Sequence, residues 1–158
     1  TNTELIYNGI CHIDASYGGG DGTAFTIAKE HKDKIYVYGE LKQQHIDDVL
    51  EGFEAKREYY KAGTLYNESN SDKGYLNKKI KPPKKSYHEK MNKYIKISTY
   101  LRNSWDRIVF IKDTDKEYIN QILDYTENAE HDDAPDSLAS LLREMETPTK
   151  ARAVQSLY

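Results

Sequence analysis

A chain of 158 residues with a net charge of −3 suits one domain with one core. A domain of this size buries roughly 68–70% of its unfolded surface. Its one cysteine, Cys11, excludes an intrachain disulfide and a cysteine-type zinc site and fits a reducing compartment. No apolar run of about 18 residues, no signal-like leader and no initiator Met are present, which predicts a soluble piece of a longer polypeptide with no membrane association.

The charges are segregated along the chain. Between Lys73 and Arg107, eleven Lys or Arg stand against Glu89 and Asp106, a net of +9 that leaves −12 for the rest. A basic zone beside an acidic one suits an enzyme that grips a phosphodiester backbone with one and holds metal with the other, although a lysine-rich solvated surface gives the same count.

In chain order, Gly9 to Ser16 (GICHIDAS) reads as a strand buried on both faces, apolar nearly without break up to Asp14. Gly18, Gly19 and Gly20 permit a reversal, and Thr23 to Ala28 and Ile35 to Gly39 follow as a hairpin meander. His45 to Tyr60 carries Ile46, Val49, Leu50 and Phe53 at helical spacing. Thr64 to Glu68 is a short strand. A short polar helix or turn with Tyr75, Leu76 and Ile80 comes next, then a loop broken by Pro82 and Pro83. Met91 to Trp105 is predicted as an amphipathic helix with Lys93, Lys96 and Arg102 on a basic outer side. Arg107 to Ile111 is a strand, Lys116 to Tyr125 a helix, and Asp136 to Met145 a last helix, before an unpatterned tail from Thr147 to Tyr158.

Acidic side chains stand at three junctions of this order. Asp14 ends the first strand, with Asp21 beyond the glycines; Glu68 ends the fourth strand in LYNESN; Asp132, Asp133 and Asp136 open the last helix in HDDAPDS. Together they predict one site for a hard divalent cation such as Mg²⁺, which takes several carboxylate oxygens. Asp14 is the most telling, because a carboxylate ending an apolar central strand is costly to bury without a cation or several donors.

Each of the other acids also has a plainer reading. Asp132, Asp133 and Asp136 with Pro135 are good helix-start residues, Asp21 before Gly22 suits a turn, and Glu68 on an edge strand can face water. His131 abuts the acids as a candidate proton carrier, and the other histidines lack ligand spacing. GGGDG is not a phosphate-binding loop, since G-x-x-x-x-G-K-[ST] is absent. Tyr87 and Tyr100, inside the basic zone, are packing residues or base-stacking candidates.

Three strands, helix, strand, helix, strand and helices argue an α/β sheet that opens as an antiparallel meander and continues in parallel crossovers. With an Asp ending the first strand, a second Asp after the glycine turn, ESN after strand four, a lysine-rich helix ahead of RIVFI and the HDDAPDSLA ending, the chain resembles the ribonuclease-H-like nucleases. In detail it resembles the nuclease domain of the large terminase subunit of tailed phages, over roughly residues 9–145.

The resemblance implies a ribonuclease-H-like mixed sheet flanked by helices, with a nuclease domain over 1–146 and a C-terminal tail over 147–158. It further implies a DNA endonuclease that cuts concatemeric viral DNA during genome packaging, with little sequence specificity, using two Mg²⁺ or Mn²⁺ ions. Carried over by position, Asp14, Glu68 and Asp136 would be catalytic metal ligands, Asp133 a fourth ligand, and Asp21 a further acid near the site. Lys78, Lys79, Lys81, Lys84 and Lys85 would form a mobile loop over double-stranded DNA, with Lys93 and Lys96 behind it. An N-terminal ATPase motor in the same full-length chain, a portal and a small terminase subunit are the implied partners. The implied setting is the cytoplasm of an infected or lysogenic bacterial host, at the procapsid portal. A Holliday-junction-resolvase-like nuclease and a non-catalytic DNA- or portal-binding module are the alternatives.

Overall fold

The structure is a computed structural model that describes the backbone of residues 2–69 and 72–156, with side chains for 3–69 and 72–146. Asn70 of the ESN segment and the last two residues of the expected tail lie outside the described residues. Six strands form one sheet in the order β5-β4-β1-β2-β3-β6. They are β1 (Ile10–Asp14), β2 (Thr23–His31), β3 (Lys34–Lys42), β4 (Leu65–Glu68), β5 (Lys84–Tyr87) and β6 (Ile108–Phe110). The helices are α1 (Ile46–Tyr59), α2 (Tyr75–Lys79), α3 (Lys93–Ser104), α4 (Lys116–Leu123) and α5 (Asp133–Ser156).

The meander and the crossovers both form as expected. β1 pairs antiparallel with β2 and β2 with β3, while β4 joins β1, β5 joins β4 and β6 joins β3 in parallel. The β2–β3 hairpin closes over Lys32 and Asp33, whose positive φ values of 48° and 66° give the turn twist that suits paired strands. Among the described residues, no helix is long and apolar enough to cross a membrane.

Strand alternation sorts the side chains onto two faces. Cys11, Ile13, Phe25, Ile27 and Leu65 point to one face and pack with Ile46, Val49 and Phe53 of α1. Ala24, Ala28, Ile35 and Val37 point to the other and pack with Tyr118 and Ile122 of α4 and with Leu138, Leu141 and Leu142 of α5. By the same alternation His12 and Asp14 of β1 share the α5 face, as do Tyr66 and Glu68 of β4 and Tyr87 of β5, which is paired with Glu68. Gly39 makes room for α4: a Cβ there would stand 2.4 Å from the ring of the fully buried Tyr118.

Three local readings are corrected. Residues 84–87, expected in a loop, form edge strand β5, which KKSY concealed because it has no apolar alternation. The last helix starts at Asp133 rather than Asp136 and its backbone continues to Ser156, through Pro148 and most of the segment read as unpatterned. Lys96, expected on a solvated outer side of α3, is 1% exposed.

Candidate metal centre

Asp14 is the last residue of β1, and the first turn of α5 lies against the sheet beside it. That turn starts where the Asp136 N–H donates to the Asp132 carbonyl at 2.9 Å. Pro135 is tolerated there because first-turn N–H groups have no partner inside the helix. The Ala134 N–H donates to Oε1 of Gln121 on α4 at 2.6 Å, so the helix start is pinned from outside. Asp133 and Asp136 are consequently 8% and 5% exposed, far less than helix-start acids that face water.

The carboxylates feel one another. Burial pushes the Asp14 carboxyl well above its ordinary value, the charges of Asp136 and Asp133 push it further, and Lys93 and Lys96 pull it back. Asp14 keeps some accessible surface, but the protein packed around it is dense enough for burial to lead. Burial also raises Asp133 to about 6, against the Gly22 N–H that donates to its Oδ2 at 3.1 Å. Glu68 is raised by burial first and by the charge of Asp136 second. Mutual repulsion among partly desolvated carboxylates marks a place where a cation lowers the energy.

Asp21 and His131 sit outside this group. Asp21 lies on the exposed rim, with His131 Nδ1 4.0 Å from its Oδ1. The basic residues divide by face. Lys93 Nζ approaches Asp132 Oδ1 at 3.4 Å on the site side. Lys79 instead pairs with Asp47 at 3.0 Å, and Lys84 Nζ donates to the Asn77 carbonyl of α2 at 2.5 Å, on the side opposite α5. Lys78, Lys81 and Lys85 are exposed. Lys96 lies inside the site, with Nζ 2.6 Å from Asp136 Oδ1 and 2.6 Å from Glu89 Oε1.

Sequence reasoning missed His12. Its Nδ1 lies 2.9 Å from Ser137 Oγ and its Nε2 2.7 Å from the Tyr87 hydroxyl, so it bridges α5 and β5 across the sheet. The Tyr87 hydroxyl donates to Ser140 Oγ at 3.2 Å, and Ser140 Oγ also accepts from Lys96 at 3.0 Å. Burial, with the charges of Lys96 and Arg143 behind it, pushes His12 down to about 3, so it stays neutral near pH 7. The signal was present in ICHID: a histidine two residues before Asp14 in a strand must share its face.

The donor chemistry fits a hard divalent cation, because half-buried carboxylates at two strand ends share a sheet face with the buried carboxylates of one helix start. Oδ1 of Asp136 is buried and accepts no aligned hydrogen bond, with Lys96 Nζ 2.6 Å away as its charge partner. Among the described residues, however, no three His, Cys, Asp or Glu side chains stand in a group that could hold a metal ion as placed.

Solved structures share this arrangement of strands and helices. The nuclease domain of the large terminase of bacteriophage SPP1, with bound Mn, aligns at a TM-score of 0.65 over 91% of this chain and 91% of its own, at 13% identity. The fold is that of terminase nuclease domains. The human cytomegalovirus terminase nuclease domain, Mn-soaked and inhibitor-bound, has it at a TM-score of 0.55 and 10% identity, covering 89% of this chain and 85% of that one. The large terminase of a thermophilic bacteriophage matches at 0.59 and 14% identity over 87% of this chain. The present chain spans 40% of the length of that terminase. No family model matches the sequence, and no curated protein matches it. With this terminase-nuclease fold, Asp14, Glu68, Asp133 and Asp136 belong to one end of the sheet, where β1, β4 and α5 meet.

Proposed function

We propose that this chain is the nuclease part of a viral genome-packaging terminase, a metal-dependent endonuclease that cuts concatemeric double-stranded DNA with little sequence specificity. One observation carries the reading: carboxylates from the ends of β1 and β4 and from the first turn of α5 are brought to one sheet face, where burial first, and then the charges of Asp136 and Asp133 on Asp14 and of Asp136 on Glu68, disfavour the ionised acids. The shared fold of Mn-containing terminase nuclease domains supports it.

Asp14, with Asp136 and Asp133, would hold one divalent ion, and Asp14 with Glu68 a second. Bound Mg²⁺ or Mn²⁺ supplies a water of lowered pKa and neutralises charge on the leaving oxygen. Asp14 is central because it couples to both helix-start acids. Asp133 is held in place by the Gly22 N–H, which fixes the loop after β1 against α5. Lys93, at the rim beside Asp132, and Lys85, exposed on the edge strand, would hold phosphates on the site side, whereas Lys81, whose N–H donates to Glu54 Oε2 of α1 at 2.7 Å, lies with Lys79 on the opposite face. Contacts of this kind grip backbone and read no bases. An ATPase motor on the rest of a longer chain, a portal and a small terminase subunit complete the proposed assembly in the host cytoplasm.

The test is conversion of supercoiled plasmid to nicked and linear forms by the purified protein. Cutting in Mn²⁺ or Mg²⁺ and silence in EDTA are expected. Equal cutting in both, or none in either, ends the reading.

A further inference from the structure

Fully buried lysines are rare, and Lys96 is one of them, 1% exposed in the middle of the acidic site. Its ammonium has two kinds of neighbour. It donates to Glu89 Oε1 at 2.6 Å and to Ser140 Oγ at 3.0 Å, which anchor it with good hydrogen-bond geometry. It comes as close to Asp136 Oδ1, 2.6 Å, in an ion pair without hydrogen-bond alignment. Glu89 is itself fixed by Arg143, whose two terminal nitrogens donate to its oxygens at 2.8 and 3.0 Å. Lys96 is thus held by one acid and one serine while its charge falls on a second acid.

A buried carboxylate needs a positive partner, and here the chain itself brings one to an oxygen that a metal ligand would also have to offer. We infer that Lys96 is a resident counter-ion of the site, competing with a divalent cation for Asp136. The inference rests on the metal-centre reading and adds a regulator to it. In the free protein the ammonium holds the acids together and lowers the affinity for metal. Drawing the ammonium wholly onto Glu89 raises that affinity. Lys96 is therefore a positioning residue that acts through Asp136. Lys93 gives the contrast, because its side chain is 54% exposed and its ammonium pairs with Asp132 at 3.4 Å, so its charge reaches Asp136 and Asp14 only at longer range.

Calorimetric titration of Mn²⁺ alone into wild type, Lys96→Met, Lys93→Met and Glu89→Gln, beside thermal melting with chelator and with Mn²⁺, tests this. Lys96→Met should bind Mn²⁺ at least about tenfold more tightly, melt lower in chelator and gain more from Mn²⁺ than wild type does. Lys93→Met, removing a screened rim charge, should change affinity by less than about threefold. Glu89→Gln leaves the ammonium to Asp136 and should weaken binding. Equal or weaker affinity in a folded Lys96→Met, or an equal gain in Lys93→Met, overturns the inference. If Lys96→Met does not fold, unchanged or tighter binding by Glu89→Gln overturns it. Wild type that binds no Mn²⁺ removes the metal-centre reading and the inference with it; wild type that binds, with the variants as just described, removes the inference alone.

Discussion

His12 Nδ1 stands 2.9 Å from Ser137 Oγ, so the strand that ends in Asp14 is tied to helix α5 at the residue after Asp136. The placement of the two acids is therefore constrained by a bond that neither makes, beside the Gly22 N–H that holds Asp133. His12→Ala removes one partner each from Ser137, which keeps Thr26, and from Tyr87, which keeps Ser140, and should cost about 1–3 kcal/mol in all. Denaturant unfolding measures it. Metal affinity should also fall, and an unchanged affinity would show that the tie does not position the acids.

The same histidine predicts an acid-sensitive stability. Its folded-state pKa of about 3 lies below the ordinary value of 6.5, so acidification protonates the unfolded chain first. The stability it supports is complete above pH 6.5 and declines as pH falls toward 3, by about 1.4 kcal/mol per unit. Asp133, raised to about 6, works the other way, gaining stability between pH 6 and 3.8. Melting curves of wild type and His12→Gln from pH 7.5 to 4 separate the two. Wild type should lose stability relative to the variant below pH 6.5.

Asp14→Asn keeps the shape of the strand end and removes the charge that Asp136 and Asp133 oppose. Cleavage should be abolished. In chelator the variant should be more stable by about 1 kcal/mol, a rise of roughly 2–4 °C in melting temperature. An active Asp14→Asn protein would remove Asp14 from the mechanism.

The division of lysines by face gives a prediction for DNA. Reversing Lys85 and Lys93 to Glu should flatten the slope of log K against log salt by roughly 0.9 for each phosphate no longer neutralised. Lys84→Glu, whose ammonium lies toward α2, should leave the slope unchanged. Fluorescence anisotropy in Ca²⁺ across a salt series reads both. A slope altered by Lys84 and not by Lys85 would move the DNA to the opposite face.

The order of the elements and the ends on which Asp14, Glu68 and Asp136 sit were legible because apolar runs and their abrupt acidic stops need no tertiary information. Lys96 was not. Helical periodicity assigns a lysine to the outside, and only the arrival of Glu89, Ser140 and Asp136 from elsewhere in the chain makes burial tolerable. β5 was hidden for a related reason: the backbone of residues 84–87 is ordered by pairing with β4, and not by apolar side chains of its own. His12 could have been found from alternation alone, since a residue two before Asp14 had to face the same helix.

Lys96, Arg143, Glu89 and Asp136 form a quartet of two positive and two negative charges closed off from water on several sides. Such a quartet is balanced only as a unit. A lineage that replaces Lys96 by a neutral residue leaves Asp136 without its ammonium, and one that loses Glu89 leaves the ammonium to Asp136 and Ser140, so positions 89 and 96 are energetically coupled. Across relatives as divergent as those sharing this fold, these positions should covary, with Lys–Glu exchanged for a neutral pair far more often than for either half-changed combination.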